Sequence, residues 1–155
     1  MSISPTPPQP PASASPGRVV PFHQHARIEI LDAPEGEGRA RIPDAPELTN
    51  HFGTVHGGML FAVGEVTAAS AMIRLLGAHR IGARAITRKA TIDYLKPARG
   101  AVSGSATVGM SAADIAASLA RLPSVNVPIS VDLTDAAGVT VAHLDIEWFV
   151  GNPKT

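Results

Sequence analysis

The 155-residue chain has no cysteine, few aromatic residues and no excess of either charge. Without cysteine it forms no disulfide framework and has no thiolate for metal binding or catalysis. Thirteen basic residues are balanced by thirteen acidic ones, and there is no basic run of the kind that neutralises phosphates, so nucleic acid is not an expected partner. The six histidines show no metal-ligand spacing. We therefore predict no metal and no cofactor.

The chain also lacks a long apolar run free of charge. A membrane-spanning helix needs about 20 such residues, whereas the apolar run from Met59 to Leu76 is interrupted by Glu65. Residues 1–20 are rich in proline and serine and contain no apolar signal segment, which predicts a disordered tail. We expect residues 21–150 to form one domain of a cytoplasmic protein that does not contact a membrane.

One apolar helix that carries a carboxylate is the most informative feature of the sequence. The segment His56-Gly57-Gly58 opens a helix predicted over Gly57–Leu76, with Gly77 as its stop. The helix is apolar on all sides, which is typical of a helix buried on most of its surface. A carboxylate in such a helix is costly unless it is paired or used, so Glu65 is a candidate functional residue.

Alternating apolar and polar residues on both sides of this helix predict strands. A short loop, Asp135–Gly138, favours an antiparallel hairpin. Pro128 lacks an amide donor, which predicts an edge strand or a bulge at that residue. The fold class is therefore α+β, an antiparallel sheet wrapped around one long central helix. We predict strands over 26–31, 38–42, 101–110, 125–134 and 142–150, a further strand after the helix, and a short helix over 112–121.

Several of these residues together resemble one protein family. Asn50, Gly53, His56-Gly57-Gly58, Glu65 and the run Asp93–Pro97 look like the hot-dog-fold thioesterases of the phenylacetate-pathway (PaaI-like) type and their uncharacterised relatives. The resemblance covers roughly residues 27–150. It implies a hot-dog fold and hydrolysis of acyl-coenzyme A thioesters without a metal, by dimers or dimers of dimers.

The resemblance also implies roles for individual residues. Asn50 matches the family asparagine, His56 and Gly57 match the turn, Glu65 matches the helical carboxylate and Thr87 matches a hydroxyl position. Many PaaI-like proteins have aspartate at the carboxylate position, and their usual Leu-Ala before it is replaced here by Val-Gly at positions 63 and 64. This departure affects the choice of subfamily more than the chemistry, because related thioesterases use glutamate.

The proposed chemistry can be examined without the family. Thioester hydrolysis needs donors for a developing oxyanion and a group that activates water or attacks the carbonyl. The amide of Gly57, with that of Gly58, is the candidate donor. Glu65 is the candidate base or nucleophile, and Thr87 and Asn50 are expected to hold the water or the carboxylate. The sequence leaves the choice between base and nucleophile open.

Helix geometry predicts an obligate homodimer. Gly57 and Glu65 are eight positions apart, so on one straight helix about 12 Å of axial rise separates them. If both act on one thioester, they must come from different subunits across a two-fold interface. Met59 and Phe61 are expected to line the acyl pocket, and Arg88 and Lys89 to meet the phosphates of coenzyme A.

Each of these residues also has a structural interpretation. His56 can cap the helix, Asn50 can be an ordinary turn residue and Thr87 an ordinary strand residue. Arg88 and Lys89 can belong to a solvated strand end. The alternative function is that of a hot-dog protein that binds an acyl ligand without catalysis. A related hydratase or dehydratase would need a histidine paired with a carboxylate in a different local pattern, which the sequence does not display.

Overall fold

A six-stranded sheet curls around one long helix. The computed structural model describes residues 20–152, so the predicted tail lies outside the described residues except for Val20. The elements in chain order are α1 (Pro21–His25), β1 (Glu29–Leu31), β2 (Glu37–Ile42), α2 (Gly57–Ala78), β3 (Arg84–Tyr94), β4 (Val102–Val108), α3 (Ala112–Leu119), β5 (Ser124–Thr134) and β6 (Thr140–Gly151), with a 3₁₀ turn at Pro46–Leu48.

All neighbouring strands pair antiparallel, in the order β1-β2-β4-β5-β6-β3. The predicted architecture, an antiparallel sheet wrapped around one central helix, is confirmed. The hairpin between β5 and β6 is also confirmed, and its turn is held by the Asp135 side chain, which accepts from the amides of Ala137 and Val139. The two edges of the sheet differ greatly: β1 has three residues and β3 has eleven.

The core lies between α2 and the concave face of the sheet. Alternate residues of the strands, such as Val102, Val131 and Leu144, are fully buried there. Two glycines allow close contact: a Cβ at Gly38 would overlap the Thr67 backbone carbonyl, and one at Gly64 would come 2.6 Å from the Leu144 side chain. The glycine at position 64, where the resembled family has alanine, is thus matched to a large residue on the facing strand.

α2 has the length and hydropathy of a membrane-spanning helix, yet 67% of its most apolar window is buried within the protein. Helices at the centre of a single domain pass the same test, and α2 is the central helix here. It runs two residues beyond the predicted end at Leu76. Gly77 lies within the last turn and is not the stop, since the reversal follows at Arg80, whose φ is 52°.

The expectation for Pro128 is wrong. β5 is an interior strand, paired with β4 on one side and β6 on the other, and its register shift lies between Leu133 and Thr134. The Pro128 carbonyl accepts from the Gly109 amide just beyond the end of β4. The backbone N and O of one strand residue point toward the same neighbouring strand. The amide hydrogen that Pro128 lacks would therefore also point toward the end of β4, where the pairing between β4 and β5 stops. Helix α1 was not predicted from the sequence, since five residues are too few to show a helical period.

Candidate active site

The first turn of α2 leaves one amide without an acceptor. His56 is the N-cap, with ψ of 136°, and its Nδ1 accepts from the Gly58 amide at 2.9 Å. Its carbonyl accepts from the amides of Met59 and Leu60 at 2.8 and 3.1 Å. Within residues 20–152, the Gly57 amide has no acceptor. Of the two predicted oxyanion donors, only the Gly57 amide is therefore free in this part of the chain, because the Gly58 amide already donates to the His56 ring.

Asn50 organises the loop that leads to this turn. Its Oδ1 accepts from the amides of Phe52 and Thr54 at 2.9 and 3.3 Å, and its Nδ2 donates to the Thr54 hydroxyl at 2.9 Å. Gly53, with φ of 70°, allows the loop to reverse. This arrangement fits the turn interpretation of Asn50. A direct role of Asn50 toward water or substrate stays a prediction.

Glu65 and Thr87 are brought together at the middle of α2. Thr87 lies on the concave face of β3, and its hydroxyl donates to Glu65 Oε1 at 2.7 Å. Both side chains are half-buried. Oε2 of Glu65 has no hydrogen-bond partner in the described part of the chain. One carboxylate oxygen is thus held in place, and the other is available to accept a proton or to attack a carbonyl.

Glu65 lies on the one side of α2 that the sheet leaves uncovered. Phe61, Glu65, Ala69 and Ile73 recur every four residues along this side, and Phe61 and Ile73 are 36% and 67% exposed. We call these four residues the open stripe. It borders the concave face of β3, whose other edge carries no strand among the described residues. Glu65 is therefore the one charged residue of the open stripe, and the other three residues of the stripe are apolar.

The two halves of the predicted site are at separate places on α2. Gly57 and Glu65 belong to one uninterrupted helix, which separates them by about 12 Å along its axis. His56 and Asn50 lie with Gly57 at one end, and Thr87 lies with Glu65. Met59 is half-buried against the core, whereas Phe61 projects from the open stripe.

Tyr94 is a residue that the sequence did not single out for a role. It is 57% exposed, its ring lies against Gly57, and its hydroxyl donates to the Gly57 carbonyl at 3.2 Å. It is seven positions after Thr87, and this odd spacing would place the two on opposite faces of a regular strand. A bulge between Thr87 and Lys89 brings both to the concave face, where they pair with Trp148 and Ala142 of β6. The sequence carries no signal for this bulge.

Arg88 and Lys89 lie on the convex face of the sheet, away from Glu65. Arg88 donates to Asn126 at 3.5 Å and is 3.7 Å from Glu147, and both basic side chains are exposed. Lys89 is opposite Glu147 in the β3–β6 register and borders a polar depression with Asn126 and Asp145. A phosphate-bearing ligand that contacts them would therefore lie on the face of the sheet opposite to Glu65.

Replacing Arg88 and Lys89 by alanine tests the predicted contact with coenzyme A. We expect the KM for an acyl-coenzyme A ester to rise about threefold, because exposed charge pairs are worth up to about 1 kcal/mol each, and its dependence on salt to weaken. The same measurement on Arg41→Ala, an exposed arginine on β2, gives the control. A KM and salt dependence equal to those of the unaltered protein would remove both residues from the site.

The convex face does contain a histidine paired with carboxylates, which sequence inspection missed. His143 Nδ1 lies 2.7 Å from Asp132 and its Nε2 lies 3.5 Å from Asp145. The hydrogen bond with Asp132 raises the pKa of His143, and burial partly offsets this. His143 and Asp132 are opposite each other on β6 and β5, eleven positions apart in one hairpin. Because they face away from α2, they cannot assist Glu65.

The fold is similar to that of solved proteins with low sequence identity. A Pseudomonas aeruginosa protein described as a probable thioesterase superposes with a TM-score of 0.74 at 20% identity, over 85% of this chain and 87% of that chain. PaaI from the phenylacetic acid degradation operon of E. coli superposes with a TM-score of 0.65 at 19% identity, over 82% and 81%. These likenesses show that the chain has the hot-dog fold.

Sequence comparison gives a relative and a family. A Halobacterium salinarum protein named as a candidate esterase is 36% identical over 84 residues, or 52% of this chain. The match covers 55% of that relative, so the chain spans about half of its length. A family profile described as a domain of unknown function, DUF4442, matches residues 12–150 and so begins within the predicted tail. The chain therefore belongs to the DUF4442 family.

Proposed function

We propose that the protein hydrolyses acyl-coenzyme A thioesters to the free acid and coenzyme A. The observation that carries the proposal is the hydrogen bond between Thr87 and Glu65 on the open stripe. A half-buried carboxylate among apolar side chains is costly, and here a hydroxyl fixes one oxygen while leaving the other free. The esterase and thioesterase descriptions of the relatives support hydrolysis as the reaction class.

The reaction needs only water as a second reactant. With Glu65 as base, its carboxylate takes a proton from water while the water oxygen bonds to the thioester carbon. The carbonyl oxygen becomes an oxyanion next to the Gly57 amide. The C–S bond then breaks, and the thiolate of coenzyme A takes the proton from Glu65. With Glu65 as nucleophile, water would instead hydrolyse an acyl-enzyme anhydride.

An unpaired edge and an apolar opening support an obligate homodimer. β3 is a long edge strand, and such edges associate with other strands unless they are protected. Large apolar side chains are exposed along it and on the adjoining helix, including Ile73, Ile86 and Leu95 at 67%, 59% and 54%. A second copy that paired through β3 would extend the sheet and cover the open stripe. A dimer of dimers stays an expectation without a surface assigned to it.

Two-fold pairing through β3 would also assemble a complete site. In an antiparallel pair of identical strands, the end of one lies beside the start of the other. Tyr94 and Gly57 of one copy would then approach Thr87 and Glu65 of the other. Each dimer would hold two composite sites, each with the Gly57 amide from one copy and Glu65 from the second.

A panel of acyl-coenzyme A esters, from short to long acyl chains and including aryl-acetyl groups, tests the function directly. We expect release of free thiol from at least one ester, detected with a thiol reagent. Binding of the esters without thiol release would favour the alternative, a non-catalytic acyl-ligand protein. If no ester of the panel binds and none releases thiol, the proposal is contradicted.

Gly57→Pro should remove the oxyanion donor with little change in backbone. Proline suits the first position of a helix, and the extended His56 suits the residue before a proline. Losing one such donor lowers kcat by about 10²-fold. Gly57→Ala is the matched control, because it adds the same Cβ against Tyr94 but keeps the amide. Equal kcat values for the two variants would exclude the Gly57 amide from the reaction.

A further inference from the structure

The proposed site has fewer backbone donors than its sequence suggests. Oxyanions in acyl transfer are usually stabilised by more than one preorganised donor. At the start of α2, however, the amides of Gly58, Met59 and Leu60 are all bonded to His56. This leaves the Gly57 amide alone among the first four amides of the helix. A second donor would have to come from a side chain close to Gly57.

Tyr94 has the position and chemistry of that donor. Its ring atoms Cε1 and Cζ lie 3.3 and 3.4 Å from the point where a Cβ of Gly57 would stand, and its hydroxyl oxygen lies at 3.4 Å. The hydroxyl is 3.2 Å from the Gly57 carbonyl oxygen, which is longer than the usual O–H···O distance of about 2.7 to 2.8 Å. In an α-helix that carbonyl already accepts from an amide of the next turn. The phenol is therefore held against Gly57 by packing, with a weak hydrogen bond that can be exchanged.

We propose that the Tyr94 hydroxyl is the second oxyanion donor, acting beside the Gly57 amide on the same thioester carbonyl. This inference rests on the proposed thioesterase function. The hydroxyl hydrogen can turn from the Gly57 carbonyl to an oxyanion by rotation about the C–O bond, without movement of the ring. An oxyanion accepts more strongly than a neutral carbonyl, so the bond strengthens as charge develops.

The location of Tyr94 on β3 fits this role. The bulge after Thr87 sets Tyr94 on the concave face, the same face as Thr87. In the two-fold arrangement, Tyr94 and Gly57 of one copy would face Thr87 and Glu65 of the second copy. Both oxyanion donors would then stand on one side of the carbonyl carbon, and the carboxylate with its water would approach from the other.

Tyr94→Phe tests the proposal, because it keeps the ring against Gly57 and removes only the hydroxyl. We expect kcat for an acyl-coenzyme A ester to fall about 10²-fold, with KM changed less than twofold. Thr91→Val removes a hydroxyl from the convex face of the same strand and gives the control, with kcat unchanged. A kcat of Tyr94→Phe within twofold of the unaltered protein would overturn the proposal.

A second measurement distinguishes a donor from a residue that merely shapes the site. A thioether analogue of coenzyme A has no carbonyl, so its Kd should be the same for Tyr94→Phe and the unaltered protein. A Kd that weakens in step with kcat would assign Tyr94 to site shape and overturn the proposal. Assaying Glu65→Gln in parallel distinguishes failure of the Tyr94 donor assignment from failure of the proposed thioesterase function. If Glu65→Gln is inactive while Tyr94→Phe is fully active, the donor assignment fails and the thioesterase function stands.

Discussion

Glu65→Gln should lower kcat about 10³-fold, which is within the range expected for loss of a general base. Glutamine keeps the shape of the side chain. Its amide oxygen can still accept a hydrogen bond from the Thr87 hydroxyl, as Glu65 Oε1 does in the unaltered protein. What it loses is the ability to take a proton from water or to attack a carbonyl. Folding and association should be retained, because a charge is removed from an otherwise apolar stripe.

The measurement is steady-state release of free thiol, accompanied by the thermal midpoint and the mass of the purified variant. Glu37→Gln changes a carboxylate on β2 whose side chain is 41% exposed; it is the matched control and should keep its full activity. If Glu65→Gln turns over at the rate of the unaltered protein, the carboxylate is neither base nor nucleophile. The proposed mechanism would then be wrong, whatever the variants at Gly57 show.

Mixing two inactive variants should restore activity if the site is shared between subunits. We expect Gly57→Pro and Glu65→Gln, unfolded and refolded together, to form mixed dimers in which one site carries both defects and the other carries neither. In an equal mixture about half of the dimers are mixed, and each has one intact site, so about a quarter of the original activity should return. The expected recovery greatly exceeds the residual activity of either parent.

Mass measurement on the refolded mixture, with one variant carrying a tag, provides the control for this experiment. Each variant refolded by itself should stay inactive, which excludes recovery through refolding alone. If mixed dimers form and activity does not return, Gly57 and Glu65 act within one subunit. Such a result would overturn the arrangement across the interface. Whether Glu65 takes part in the reaction would still be decided by the activity of Glu65→Gln alone.

The sequence was sufficient for the fold because its signals are local and periodic. Two-residue alternation in 101–110, 125–134 and 142–150 predicted three strands of the sheet, and the uniformly apolar stretch after His56 predicted the central helix. The hot-dog resemblance agrees with the solved neighbours. The prediction for Pro128 was wrong because an interior strand can lack an amide donor at a point where its neighbouring strand ends. The position of that end is a property of β4 and not of β5 itself.

For the candidate site, the sequence by itself determined which residue types are present and how they are spaced along one helix. That spacing keeps Gly57 and Glu65 about 12 Å apart, whatever the rest of the chain does. Only the tertiary structure decided which groups are free to act: the His56 ring occupies the Gly58 amide, and Asn50 is bonded within its own loop. It also decided that a bulge brings Thr87 and Tyr94 to one face of β3. The bulge depends on the register between β3 and β6, which no local pattern in the sequence specifies. The contacts of His56 and Asn50 are local, but the sequence left them as one of two interpretations for each residue.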